Sequence, residues 1–213
     1  MKVSHVLLPC KLNSTRIFRK NLALIGGMTI LELAIARSRR WFPSARVWVA
    51  TDDAEATLIA ERQECAKFSL TEADINDKRN VSELMTEFLS LRRRDERCIC
   101  FQLTSPFTFR SELGRAVADE RPFVRSAFMG TLHLATADKQ SNGWMKLSQH
   151  LEPTICLTGN FLCANGQHVI TPGQECSCLT PVSLFSALDI NTPDDLKICQ
   201  TIGGKLRLDD MDD

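Results

Sequence analysis

The residues best suited to chemistry lie in one short stretch, Leu8-Pro9-Cys10-Lys11-Leu12-Asn13-Ser14-Thr15-Arg16-Ile17-Phe18-Arg19-Lys20-Asn21-Leu22. Lys11, Arg16, Arg19 and Lys20 put four cations within ten residues. They follow directly on an apolar run (Val3, Val6, Leu7, Leu8) that reads as a buried strand. Such a cluster packs poorly but can cradle a polyphosphate, because guanidinium and ammonium groups donate several charge-assisted hydrogen bonds. In α/β sheets ligands gather beyond the carboxyl ends of the strands, which is where this loop would sit. Taken alone, the cluster is as consistent with a solvated basic loop, since surface Lys and Arg are common.

The elements that must carry the loop alternate along the chain. Thr29 reads as the N-cap of a helix bearing Ile30, Leu31, Leu33, Ala34 and Ile35 and ending on Arg37-Ser38-Arg39-Arg40. A polar start and a cationic finish suit the helix dipole. Ala45–Ala50 reads as a strand, and Thr51-Asp52-Asp53 caps a helix from Ala54 to Glu64. Helical periodicity runs from Val81 to Arg94, followed by a strand from Arg97 to Leu103 and a helix from Ser111 to Asp119. Strands are expected at Phe123–Gly130 and Ile155–Cys163, with a polar stretch at Thr136–Gly143 between them. Thr192-Pro193 opens a last helix to Ile202, with acids in its first turn. This alternation predicts an α/β fold built on a doubly wound, mostly parallel sheet. Residues 1–205 read as one domain, and 206–213 as an acidic disordered tail.

Composition narrows the function classes. With 26 Lys+Arg against 26 Asp+Glu the 213-residue chain has no formal net charge. That balance argues against nucleic-acid or anionic-membrane binding and makes the basic loop a local feature suited to a small anion. The nine cysteines include no Cys-x-x-Cys pair, and His5, His133, His150 and His168 are scattered. The thiols therefore read as buried and reduced, as in cytosolic proteins, rather than as metal ligands. Cys98 and Cys100 have the spacing of one strand face. No apolar run approaches the roughly 20 residues of a membrane span. Met1-Lys2-Val3-Ser4-His5 does not open a signal peptide, so the expected location is cytoplasmic.

Four segments, in order along the chain, resemble the cytidylyltransferases that activate acidic sugars as CMP conjugates. Pro9-Cys10-Lys11 stands where that family has Pro-Ala-Arg, and Arg19-Lys20-Asn21-Leu22 resembles the acylneuraminate members. Leu12-Asn13-Ser14-Thr15-Arg16 and Val49-Ala50-Thr51-Asp52-Asp53 look more like the 3-deoxy-manno-octulosonate branch. Phe101-Gln102-Leu103-Thr104-Ser105-Pro106 is similar to the sialate group's Leu-Gln-Pro-Thr-Ser-Pro. Leu188-Asp189-Ile190-Asn191-Thr192-Pro193-Asp194-Asp195-Leu196 resembles Asp-Ile-Asp-Thr-Pro-Glu-Asp-Leu, with Asn191 in place of the second carboxylate. Asp189 and position 191 alternate, so on a strand both side chains point to one face. A weaker segment, Gly159-Asn160-Phe161, is similar to one that lines the sugar pocket of sialate and pseudaminate enzymes.

The resemblance implies a Rossmann-like nucleotidyltransferase that transfers CMP from CTP to the anomeric hydroxyl of a sialic-acid-like 2-keto sugar acid, releasing pyrophosphate. It implies a nucleotide site of Pro9, Cys10, Lys11, Ser14, Thr15, Arg16, Arg19, Lys20, Asn21, Thr51 and Asp52. The sugar site would be Gln102, Thr104, Ser105, Gly159, Asn160 and Phe161. Lys20, Asp189 and Asn191 would be catalytic, with the last two positioning Mg²⁺ (or Mn²⁺). The same resemblance implies a homodimer with residues 123–157 supplying an arm. Lys11 for Arg and Asn191 for Asp leave open a degenerate relative that binds nucleotide or a partner without turnover, or a nucleotidyltransferase using another sugar or base.

Overall fold

Strand β1 (His5–Pro9) is apolar on both faces because it runs through the middle of the sheet, and Leu7 and Leu8 are fully buried. A computed structural model describes residues 2–11, 14, 16–75, 80–119, 121, 123–130, 154–165, 178–205 and 212. Leu12, Asn13, Thr15, the Thr136–Gly143 stretch, residues 131–153 of the expected arm and most of the tail lie outside these. Asp212 of the tail accepts from Trp41 Nε1 at 2.6 Å and from Arg40 Nε at 2.8 Å.

After β1 the chain forms a 3-10 turn (Lys20–Leu22), a two-residue hairpin of β2 (Leu24–Ile25) and β3 (Met28–Thr29), and helix α1 (Ile30–Trp41). Thr29 caps α1 in a reciprocal box with Glu32. Then come β4 (Arg46–Thr51), α2 (Ala54–Arg62), β5 (Ala66–Ser69), the short α3 (Glu72–Ile75), α4 (Val81–Ser90), β6 (Arg97–Phe101) and α5 (Arg110–Ala118). The chain closes with β7 (Phe123–Gly130), β8 (Thr154–Asn165), β9 (Cys178–Pro181) and α6 (Pro193–Gly203).

Seven strands make one sheet in the order β5-β4-β1-β6-β8-β7-β9. β1 pairs in parallel with β4 on one side and β6 on the other, so the winding reverses at β1. The crevice beyond the carboxyl ends of β1 and β6 is therefore a topological switch point, where such sheets bind ligands. β8 runs antiparallel to both β6 and β7, the exception in an otherwise parallel sheet. Cys98 and Cys100 share one face and one apolar cluster, with Phe88 and Leu89 of α4.

The stretch around Asp189 departs from the expected strand. It joins no ladder; Ile190 N–H donates to Thr104 O at 2.8 Å and Leu188 N–H to Phe185 O at 3.2 Å. Thr192 then caps α6, with Pro193 in its first turn. At the far end of α6 the hairpin packs backbone to backbone. Gly26 has φ +60°, and a Cβ there would lie 2.7 Å from the Gly203 carbonyl oxygen. Gly26→Ala is thus expected to destabilise the fold by about 1–3 kcal/mol, through left-handed strain and a contact that backbone cannot relieve. A urea melt unshifted from wild type would show that the hairpin moves off α6 at no cost.

Candidate active site

The basic loop is shaped by its own side chains. Asn21 Nδ2 donates to the Lys11 carbonyl at 2.7 Å, drawing the two ends of the loop together. Cys10 continues the line of β1, its N–H donating to Ala50 O at 2.8 Å. Its thiol is fully buried, and burial, reinforced by Asp53 and Asp52, pushes its pKa up to about 12. Cys10 is thus a packed thiol, not a nucleophile. Lys11 Nζ reaches across to the Asp74 carbonyl at 2.8 Å, while Ser14 Oγ takes the Ile17 N–H at 3.4 Å.

Two cations of the loop meet the Asp189 segment. Lys20 Nζ donates to Ile190 O at 2.6 Å. Arg16 Nη2 donates to Asn191 Oδ1 at 3.1 Å, and Asn191 Nδ2 donates to Asp189 Oδ2 at 2.7 Å. Lys20 is half-buried, and that burial lowers its pKa; Arg16 adds to the shift, while Asp189 and Asp195 oppose it. The Asp195 carboxyl is held below the usual range, mainly by the Asn191 backbone N–H and then by Thr192, at the N-terminus of α6.

Arg16 and Lys20 also line a cleft of about 290 Å³ at the switch point. Pro9, Lys11, Ser14, Arg16, Lys20 and Asn21 form its floor and one side, and Gln102, Leu103 and Thr104 enter from the end of β6. The far wall is Leu70, Asp74, Asn80, Val81 and Leu84. No sequence signal marked that wall, because each of these residues has a local role that explains its type. Asn80 caps α4, Asp74 accepts from Thr71, and Leu84 belongs to the apolar face of α4. Only the closing of the fold turns them toward the loop.

Other expected site residues stand elsewhere. Arg19, in the left-handed region at φ 50°, turns from the cleft to Glu55 (2.7 Å) and Asp53 (3.6 Å). Thr51 is buried and accepts from the Asp53 N–H, while Asp52 is exposed beyond β4. Ser105 is buried beneath the β6 turn. Asn160 and Phe161 lie in β8 between β6 and β7, both fully buried. Asn160 Nδ2 donates to Thr108 Oγ1 at 2.9 Å and to Ser186 O, tying strand to turn, while its Oδ1 has no hydrogen-bond partner among the described residues. Gly159 is the residue before them on β8.

A sequence profile of the cytidylyltransferase family matches residues 5–123, more than half of the chain, from β1 to the start of β7. The chain belongs to the cytidylyltransferase family. Solved cytidylyltransferases share its fold. CMP:2-keto-3-deoxy-manno-octonic acid synthetase, solved with CTP, has a TM-score of 0.69 at 14% identity, over 97% of this chain and 100% of that one. 4-Diphosphocytidyl-2C-methyl-D-erythritol synthase from Anaerococcus prevotii gives 0.60 at 9% identity, over 94% and 98%. No curated protein matches this cytidylyltransferase by sequence.

The donor set for a metal is small. Among the described residues no three His, Cys, Asp or Glu side chains gather as ligands. Among the described residues Asp189 Oδ1 is a buried carboxylate oxygen with no hydrogen-bond partner. The Asn191 carbonyl is turned to Arg16. One carboxylate with an open oxygen fits Mg²⁺, which is commonly held by one or two acids together with substrate phosphates and water.

Proposed function

We propose that this cytidylyltransferase transfers CMP from CTP to the anomeric hydroxyl of a 2-keto sugar acid and releases pyrophosphate, acting as a homodimer with Mg²⁺. The reading is carried by one observation: Arg16 and Lys20 of the basic loop line the switch-point cleft and also reach the Asp189–Asn191 segment. Lys11, Arg16 and Lys20 hold the β- and γ-phosphates. Leu70, Val81 and Leu84 offer an apolar wall to the flat face of the base. Gln102 and Thr104 present hydrogen-bonding groups to the incoming sugar from the β6 end.

In the transfer the sugar oxygen forms a bond to the α-phosphorus as the bond to the bridging oxygen of pyrophosphate breaks. Charge moves onto the leaving phosphates, so cationic donors already in place stabilise the transition state more than any covalent aid. Lys20 and Arg16 are those donors. Asp189 draws the proton from the attacking hydroxyl. Asp189, together with the phosphates, would hold Mg²⁺, which would supply further charge neutralisation there.

Incubation with Mg²⁺, CTP and a panel of N-acetylneuraminate, legionaminate, pseudaminate and 3-deoxy-manno-octulosonate is expected to yield one CMP-sugar by mass spectrometry. CTP binding without product from any acid would favour the second reading, a binding relative without turnover, for which the amide at 191 is the specific observation. Turnover with a sugar or polyol phosphate instead would keep the cytidylyltransfer and reject the acid.

A further inference from the structure

Asn191 is held by two contacts that agree on one orientation. Its Oδ1 accepts from Arg16 at 3.1 Å, and its Nδ2 donates to Asp189 Oδ2 at 2.7 Å. A guanidinium only donates and a carboxylate only accepts, so the amide cannot turn over without losing both bonds. The side chain is a bridge from the basic loop to the acid. Its backbone N–H is engaged separately, by Asp195 Oδ2 at 2.9 Å.

The charges around the bridge balance, Arg16 and Lys20 against Asp189 and Asp195. A divalent cation coming to Asp189 Oδ1 would meet one carboxylate, two amide hydrogens and two positive side chains. That is a poor site for a bare ion, because cation affinity follows the number of charged oxygen ligands. A triphosphate changes each term. Its oxygens are better acceptors for Arg16 than an amide carbonyl, they offset both cations, and they supply ligands of their own.

We propose that Asn191 makes divalent-cation capture conditional on the nucleotide: the Arg16–Asn191–Asp189 bridge denies the acid to a bare cation and opens when triphosphate takes Arg16. Asn191 is a positioning residue in this scheme, acting through Arg16 and Asp189. The proposal rests on the triphosphate reading of the cleft given above. An aspartate at 191 could not donate to Asp189. Two carboxylates at that spacing repel unless a cation lies between them, so Asn191→Asp would convert the bridge into a chelate.

The test is Mn²⁺ binding, read from the EPR signal of free Mn²⁺, on full-length wild type, Asn191→Asp and Arg16→Gln without nucleotide. Asn191→Asp is expected to bind bare Mn²⁺ at least about tenfold more tightly than wild type, and Arg16→Gln severalfold more tightly, because each shifts the local charge toward the cation. Adding a non-hydrolysable CTP analogue to wild type should bring Mn²⁺ onto the protein. Equal affinity of wild type and Asn191→Asp for bare Mn²⁺ would overturn the proposal. If Asn191→Asp does not fold, the exposed Arg16→Gln decides it, and an unchanged affinity there overturns it too. Failure of the analogue to bind at all would reject the nucleotide reading. The nucleotide-free comparison would still decide whether the amide guards Asp189.

Discussion

Lys20→Met is expected to weaken CTP binding by roughly 10- to 150-fold, the loss of one charge-assisted contact worth about 1.5–3 kcal/mol. Lys20 is singled out among the loop cations by its position. Its ammonium is half-buried and already aimed at the Asp189 segment through Ile190 O, so little ordering remains when phosphate arrives. Arg19→Met is the matched control. Arg19 turns to Glu55 and Asp53, outside the cleft, and its removal should change CTP affinity by no more than about twofold. The lowered pKa of Lys20 adds a pH signature. The charged form binds phosphate, and a lowered pKa means that charge is lost earlier as pH rises. CTP affinity should therefore decline on the alkaline side in wild type, and less steeply in Lys20→Met. Calorimetric titration reads all three. Wild-type affinity in Lys20→Met would remove the loop from triphosphate binding.

The basic side of the cleft was legible because its cations are concentrated in one stretch directly after a buried strand. Four cations after a buried strand are hard to explain by packing, and three of them, Lys11, Arg16 and Lys20, do line the cleft. The strand–helix alternation was equally legible, because burial on both faces forces the apolar runs seen in β1, β4 and β6. The direction of β8 was not. An apolar run reports burial and says nothing of polarity along the sheet, so the antiparallel strand and the burial of Asn160 and Phe161 within it stayed hidden. β5 and β9, four residues each, carry too little pattern to be read.

Arg37 is the instructive error of local reading. It was counted with Arg39 and Arg40 as a cationic helix end, yet it is fully buried, donating to the Pro106 and Thr108 carbonyls, with Trp41 and Phe101 beneath its guanidinium. Burial pushes its pKa down to about 9. Its place in the pattern, seven residues after Ile30 and four before Trp41, puts it on the buried stripe of α1. Periodicity held the answer, and residue type concealed it. The turn that Arg37 fixes is the one that carries Gln102 and Thr104 into the cleft.

Asp189→Asn should separate binding from chemistry. An asparagine there keeps an acceptor for Asn191 Nδ2 and nearly the same shape, so the segment and the cap of α6 stay intact. It removes a carboxylate whose Oδ1 has no hydrogen-bond partner among the described residues. Turnover is expected to fall by about a hundredfold or more, the scale of losing one preorganised electrostatic group at a reacting centre. CTP affinity measured without metal should not fall, since Asp189 repels phosphate rather than binding it. Lys20→Met should show the opposite signature, a weakened Kd with chemistry impaired mainly through occupancy. The two variants thus assign different roles to residues on two segments that meet at Ile190 and Asn191. Turnover of Asp189→Asn within about threefold of wild type would place proton removal and metal binding on other residues, because a hundredfold loss corresponds to about 2.7 kcal/mol of barrier and a threefold one to only about 0.7 kcal/mol.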